Sequence, residues 1–199
     1  RSLTQVIAES IAGGELSSDL TQNQPLQSYI NQLGKERLLD KVMRPDAREF
    51  VTNSDNSPQA VKAYFNRIAE INIKHFSSID SDISILYLAA TGSNPRAFRR
   101  LEANVTAIQN AIEEIKKTPV PSEWIQFAKD DVWYLSKVLA AVKILRNSEN
   151  DPVSSLLILR DRIQLLADLG NFYIDARTRL TASGITFTGS EPASRLLLQ

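Results

Sequence analysis

The chain has 199 residues with 23 basic and 23 acidic side chains, so its formal net charge is zero. This balance disfavours a nucleic-acid-binding protein, which normally carries a basic excess or a concentrated basic face. Because the chain contains no cysteine, disulfides, thiolate metal sites and thiol nucleophiles are excluded. The hydrophobic fraction of 43% suits a globular protein with a sizeable core. No apolar run approaches the roughly 18 residues of a membrane span.

Short helices are predicted in the N-terminal part of the chain. Leu3 and Ile7 belong to the apolar face of the first one, and Pro25 opens a second. Asp46 and Glu49 have the spacing of a capping box, in which two side chains satisfy free backbone amides at a helix start. We expect these helices to cover one end or side of the main body, not to fold as a separate domain.

Four longer helices follow, and local chemistry marks their starts. At three of them a capping side chain precedes a proline, which needs no backbone donor at the first helical position. These starts are Ser57-Pro58, Asn94-Pro95 and Asp151-Pro152. Ser122 offers a fourth cap, and apolar residues recur with the three-four spacing of an amphipathic helix after each start. The predicted helices cover residues 58–91, 95–117, 122–145 and 152–180.

These elements predict an all-α fold: an elongated antiparallel, up-down-up-down four-helix bundle with extra short N-terminal helices. The antiparallel order follows from connections of only a few residues. Gly170 is expected on the inner face of the last helix, where it would allow a close backbone approach. The one strand-like piece, 185–187, is too short to define a sheet. The chain divides into an N-terminal segment (1–56), the bundle (57–182) and a mostly irregular tail (183–199).

No catalytic, cofactor or metal constellation is recognisable. His75, the single histidine, has no carboxylate or second histidine at helical metal-ligand spacing, and we interpret it as a residue at the edge of the core. The adjacent acids Glu113 and Glu114 diverge by about 100° on a helix and share no site. Asp80 and Asp82 resemble the start of a calcium loop that lacks its glycine and closing glutamate. We predict no metal, no cofactor and no enzymatic activity.

Asp131 is the acidic residue of most interest, because it lies near the apolar seam of its predicted helix. The simpler interpretation places it at the edge of the seam with its carboxylate in water. The alternative buries the carboxylate, which then needs a partner, for example Arg160 or Arg177. In that case Asp131, Tyr173 and Arg177 are candidates to converge on a small-molecule pocket between helices.

Three proline-marked segments follow one another in a characteristic order: Ser54-Asp55-Asn56-Ser57-Pro58 with Ala60-Val61 and Tyr64, then Val120-Pro121, then Asp151-Pro152. In this order the chain resembles a group of uncharacterised helical proteins from small-genome bacteria of the candidate phyla radiation. The resemblance implies an envelope protein with an N-terminal export or anchor segment, associated with a secretion or pilus-like system. It implies no catalytic residues. The chain departs from the pattern in lacking a histidine near Phe127 and Lys129.

Our leading expectation is a non-enzymatic, extracytoplasmic helical-bundle protein, in the periplasm or at the cell surface, that binds another protein of the bacterial envelope. The chain begins at Arg1 without an initiator methionine, so we expect a fragment, a processed product or an edited sequence, and removal of a signal or membrane anchor is one of the open explanations. The candidate contact residues are Leu3, Ile7, Leu196 and Leu197. The alternatives are a cytosolic helical adaptor or regulator, and a ligand-binding sensor bundle.

Overall fold

The computed structural model of the chain describes residues 38–77, 97–147 and 152–197. Helices dominate these ranges, which confirms the all-α class. The α-helices are α1 (Pro58–Phe76), α2 (Ala97–Lys117), α3 (Ile125–Arg146), α4 (Pro152–Ala182) and α5 (Pro192–Leu197). Short 3-10 helices cover Leu38–Lys41, Ala47–Glu49 and Ser122–Trp124. The predicted helix at 58–91 is described as far as Phe76, with Ser77 as its C-cap. The rest of that prediction, with Leu3 and Ile7, lies outside the described residues.

The start of α1 follows the predicted chemistry. The Ser57 hydroxyl accepts a hydrogen bond from the backbone amide of Ala60 at 3.2 Å, and Pro58 occupies the first helical turn, where a backbone donor is not needed. The capping box at Asp46 and Glu49 is also confirmed, although the helix that it opens is only the three-residue 3-10 turn Ala47–Glu49.

The predicted cap at Ser122 is wrong. The Ser122 hydroxyl accepts a hydrogen bond from the Asn56 side-chain amide at 2.9 Å and makes no cap of its own. The Asn56 amide oxygen instead accepts the backbone amide of Glu123 at 3.0 Å. The cap is therefore supplied by a residue distant in sequence, so the helix start at 122 is tied to the segment that precedes α1.

Two extended segments form a parallel bridge that the sequence analysis did not predict. β1 (Thr52–Asn53) pairs with β2 (Val120–Pro121), and the backbone amide of Val120 donates to the carbonyl of Val51 at 2.8 Å. Pro119 and Pro121 disfavour the helical conformation for the residues before them, which leaves the Val120 amide free to pair with a neighbouring extended chain. The bridge brings the starts of α1 and α3 to the same end of the molecule.

One continuous core joins the helices. Phe65 on α1 is fully buried, and its ring contacts Trp124 and Phe127 with centroids 4.8 and 4.7 Å apart. Phe127 in turn stacks on Phe172 of α4 at 4.8 Å, so α1, α3 and α4 share one aromatic cluster. Leu39 is also buried in this core, so the described part of the N-terminal segment packs on the same body.

The tail differs from the expected irregular segment because part of it is helical and docked. α5 packs mainly against α1, with Ala193 and Leu197 buried. Glu191, just before α5, accepts hydrogen bonds from the Lys62 ammonium at 3.0 Å and the Asn66 side-chain amide at 3.3 Å. These contacts explain the docking: the tail gains both apolar burial and polar partners on α1.

Gly170 lies on the opposite face of α4 from the one predicted. The residue is exposed, and a Cβ added to it meets no heavy atom within 4 Å. No close backbone approach occurs there, so the glycine gives α4 no packing advantage at this position.

Candidate functional site

The site is built around the carboxyl group of Asp131, which is completely buried between α3 and α4. The Tyr173 hydroxyl donates a hydrogen bond to Asp131 Oδ1 at 2.7 Å. The favoured prediction, a carboxylate at the seam edge with its head in water, is therefore wrong. The reason is the period of α3: Asp131 shares a face with the buried Ala128 and Leu135, three residues before and four after it.

Burial sets the acid strength of this carboxyl group. Loss of water raises the pKa of Asp131 from 3.8 to about 7, and the hydrogen bond from Tyr173 only partly opposes that rise. The pKa of Tyr173 is raised well above its ordinary value by its own burial and by the nearby Asp131. Tyr173 therefore stays a neutral phenol, while Asp131 is poised between its neutral and charged forms near pH 7.

Two more polar side chains, Tyr64 and Asn72 of α1, complete what we call the Asp131 cluster. The Asn72 side chain lies close enough to Tyr173 to lower the pKa of that phenol, as a nearby hydrogen-bond donor does. The hydroxyl of Tyr64 is buried, and its pKa is raised by burial and by Asp131. Three buried atoms of this cluster have no hydrogen-bond partner among the described residues, namely Tyr64 Oη, Asn72 Oδ1 and Asp131 Oδ2. The cluster is under-satisfied, which is unusual in a native core.

A pocket of about 470 Å³ lies beside this cluster, and we call it the Asn72 pocket. Asn72 and Tyr173 belong both to its wall and to the Asp131 cluster. The remaining described lining residues come from α1 and its C-cap, α3, α4 and α5: Ala69, Ile73, Phe76, Ser77, Leu135, Leu169, Pro192, Arg195 and Leu196. Its size falls within the range of small-molecule sites, and its wall is mainly apolar with a few polar groups, as such sites are.

Of the three residues expected to converge, the structure brings together Asp131 and Tyr173 but not Arg177. Arg177 is exposed and lines a separate, smaller pocket of about 170 Å³ with Leu180 and Phe187. It lies one helical turn beyond Tyr173 along α4, between the buried residues Ala176 and Leu180. The side chain of Arg160 lies outside the described residues.

The predicted contact residues of the tail are placed differently from the expectation. Leu197 is only 4% exposed and sits in the core, so it offers no surface to another protein. Leu196 is half-buried, packs against the core and lines the Asn72 pocket. The chain covers its own apolar tail, and an intermolecular role for Leu197 is withdrawn.

His75 is an edge residue, as predicted, but it has a carboxylate partner from another helix. Its Nε2 lies 3.0 Å from Oε1 of Glu114 on α2. Lys74 and then His75 hydrogen-bond to Glu114 and lower its pKa. Within 38–77, 97–147 and 152–197 no group of three or more metal-ligating side chains is found. The contacts of Glu114 with Lys74 and His75 join α2 to α1.

Sequence reasoning missed Tyr64, Asn72 and Arg195. Tyr64 was read as part of the apolar stripe of α1, since a tyrosine and a phenylalanine give the same periodic signal. Asn72 lies eight residues beyond Tyr64, near the same face of the helix. A polar residue beside an apolar stripe was the feature of the sequence that could have pointed to the Asp131 cluster. Arg195 was missed because the tail was expected to lack structure.

Comparison of the chain with protein-family models, curated proteins and solved structures finds no match. Among the helices that the structure describes, none combines the length and apolarity needed to cross a membrane.

Proposed function

We propose that this chain is a non-enzymatic helical binding domain whose Asn72 pocket holds a small, mostly apolar molecule. One observation carries the proposal: the pocket is large enough for a ligand, mainly apolar, and bordered by a buried polar cluster. Perturbed acids next to a well-formed pocket are typical of functional sites. This geometry favours the sensor-bundle alternative over the leading expectation from sequence.

The chemistry of the cluster supports binding more than catalysis. Asp131 is wholly buried, so its carboxyl group has no direct path to a substrate in the pocket. Tyr173 stays protonated and is committed to Asp131 as a donor. A carboxyl group that gains or loses its proton behind the pocket wall changes the charge next to that wall. It does not act as a general acid or base on a bound molecule.

A substitution pair on α4 tests the pocket directly. Leu169→Trp places a larger side chain in the pocket wall, whereas Leu166→Trp makes the same change on the exposed side of the helix, where Leu166 is 45% exposed. In a thermal-shift screen of apolar metabolites, we expect compounds that stabilise the native chain and Leu166→Trp but not Leu169→Trp. Equal shifts for both variants, or no stabilising compound at all, would rule out this pocket as the binding site.

For the architecture we propose the antiparallel, up-down-up-down arrangement. Contacts between α4 and the segment from Glu123 to Asp131 support it, because residues later in that segment contact residues earlier in α4. The backbone carbonyl of Glu123 accepts a hydrogen bond from Arg179, whereas Asp131, further along, accepts one from Tyr173.

Spin labels on this cysteine-free chain test that arrangement. The exposed residues Gln126, Thr178 and Gln164 are suitable label positions. The two α4 positions are 14 residues apart, so they are offset by about 21 Å along the helix axis at a rise of 1.5 Å per residue. With helix axes about 10 Å apart, an antiparallel pair therefore places the 126/178 labels closer together than the 126/164 labels by on the order of 10 to 15 Å. A parallel pair reverses this order of distances.

Protein binding in the bacterial envelope is a second candidate, and a stripe on α4 favours it. Leu166 and Ile174 are 45% and 52% exposed, and Gly170 between them is also exposed. Their spacing of four residues places the three positions along one side of the helix. We retain the extracytoplasmic location and the link to a secretion or pilus-like system as predictions.

That second candidate is tested by capture from envelope fractions. The double change Leu166→Glu with Ile174→Glu removes the apolar stripe. Gln164→Glu, at an exposed position of α4 that lies about 160° around the helix from Leu166, serves as the control. Loss of a captured partner from the double variant alone supports the proposal. Capture of the same partners by both variants contradicts it.

A further inference from the structure

We propose that the ligand of the Asn72 pocket is an amphiphilic anion: an apolar chain or ring system with one carboxylate at its end. This inference rests on the proposed function and adds the chemical class of the ligand. It comes from the distribution of charge and apolar surface in the pocket wall.

Charge complementarity identifies the anionic end. Arg195 of α5 is the one charged side chain among the described residues that line the pocket, and it is exposed. A guanidinium group presents several donors in a planar fork that fits a carboxylate. An exposed arginine at the edge of an otherwise apolar pocket therefore favours a ligand whose carboxylate stays near solvent.

The apolar end is identified by the inner wall. Ala69 and Leu135 are buried side chains, and Leu169 and Leu196 add partly buried apolar surface from two other helices. Displacing water from such a wall stabilises an apolar group in proportion to the apolar area removed from water. A ligand that is charged throughout would lose hydration there without gaining a partner.

The anchoring of α5 gives the proposal a second observable. Pro192, Arg195 and Leu196 line the pocket, and α5 is held on α1 through Glu191 and Asn66, whose side-chain oxygen accepts the Ala193 backbone amide at 3.1 Å. A molecule that touches both α1 and α5 stabilises their contact. Binding is therefore expected to slow amide exchange in residues 193–197.

Isothermal titration with three molecules of one chain length tests the class: decanoate, decanol and decyltrimethylammonium, each below its micelle concentration. We expect decanoate to bind best. Arg195→Gln should weaken decanoate binding about fivefold, as for a partly exposed ion pair, and leave decanol binding unchanged. Arg177→Gln, an exposed arginine at the other pocket, is the matched control and should change neither.

The outcomes separate this inference from the function on which it rests. Equal affinity for decanoate and decanol, or tighter binding of the cation, overturns the anionic class while the pocket stays a binding site. Failure of all three to bind also overturns the class, and the screen with Leu169→Trp then decides the proposed function independently. Decanoate binding without slower exchange in residues 193–197 places the ligand elsewhere and overturns the assignment to this pocket.

Discussion

At the residue scale, Asp131 is a buried acid that makes the free energy of unfolding depend on pH. Its pKa rises from 3.8 to about 7 on burial, so between these values the unfolded chain releases a proton that the folded chain keeps. The folded state is therefore progressively disfavoured as the pH rises through this window. Lowered carboxylate pKa values, such as that of Glu114, act in the opposite direction because they add stability above their unfolded pKa.

Asp131→Asn should remove this penalty with little change in shape. The rise in the pKa of Asp131 corresponds to a destabilisation of the folded chain by roughly 4 kcal/mol at most above pH 7. We therefore expect the variant's free energy of unfolding to be higher by about 2 to 4 kcal/mol at pH 8 and to change little at pH 4. Urea unfolding of both chains from pH 4 to pH 8 measures the difference. Parallel stability curves for the two chains would contradict a buried, proton-holding Asp131.

The two buried tyrosines of the cluster should respond differently to loss of their hydroxyl groups. Tyr173→Phe removes the donor to Asp131 and should cost about 1.5 to 3 kcal/mol at pH 8, with a smaller cost at pH 5, where the carboxyl group is neutral. Tyr64→Phe removes a buried hydroxyl without a partner, so it should be neutral or stabilising. Equal losses for both variants in urea unfolding would refute this description of the cluster.

Sequence indicated that Asp131 and Tyr173 were worth attention, but not how they are paired. The apolar spacing of α3 placed Asp131 near the seam, but the depth of its burial depends on the contacts with α4. Arg177, one helical turn beyond Tyr173, is exposed instead. Packing between helices decides which of these side chains are covered, and it leaves no trace in the periodicity of one helix.

At the element scale, α5 depends on polar contacts made by the residue that precedes it. Hydrogen bonds from the Thr188 backbone amide and then from Lys62 lower the pKa of Glu191 to about 2. Glu191 is therefore charged at all ordinary pH values, and its stabilising contribution is lost only as the pH falls below its unfolded pKa toward about 2.

Glu191→Gln should loosen α5 without unfolding the rest of the chain. Loss of the charge weakens the bonds from Lys62 and Thr188, so amide exchange in residues 193–197 should become on the order of three- to tenfold faster. Hydrogen exchange measured by mass spectrometry gives this rate. Glu113→Gln, an exposed change on α2, is the control, and equal exchange in both variants would show that Glu191 does not hold α5.

Helix starts were predictable where the cap is local and were missed where it is not. Ser57 caps α1 from the adjacent position, and the sequence alone shows this. At Ser122 the same residue type makes no cap, because Asn56 reaches the site from far away in the sequence. The helix of the tail was missed for a related reason: Asn66 and Lys62, which support it, lie on α1.

At the scale of the whole molecule, apolar periodicity was sufficient to predict an all-α chain and the approximate extents of α2, α3 and α4. It was not sufficient to predict a pocket, because a pocket is the space that several elements leave between them. The Asn72 pocket needs α5 as one wall, and the position of α5 follows from its contacts with α1.

Methyl-resolved NMR of the chain titrated with decanoate tests most directly the claim that the ligand binds in the Asn72 pocket. We expect the first shifts to appear at Ile73, Leu135, Leu169 and Leu196, which line this pocket. Leu180 and Ile185 of the smaller pocket should stay unchanged. Shifts confined to that smaller pocket, or to Leu166 and Ile174 on the surface of α4, would contradict the claim.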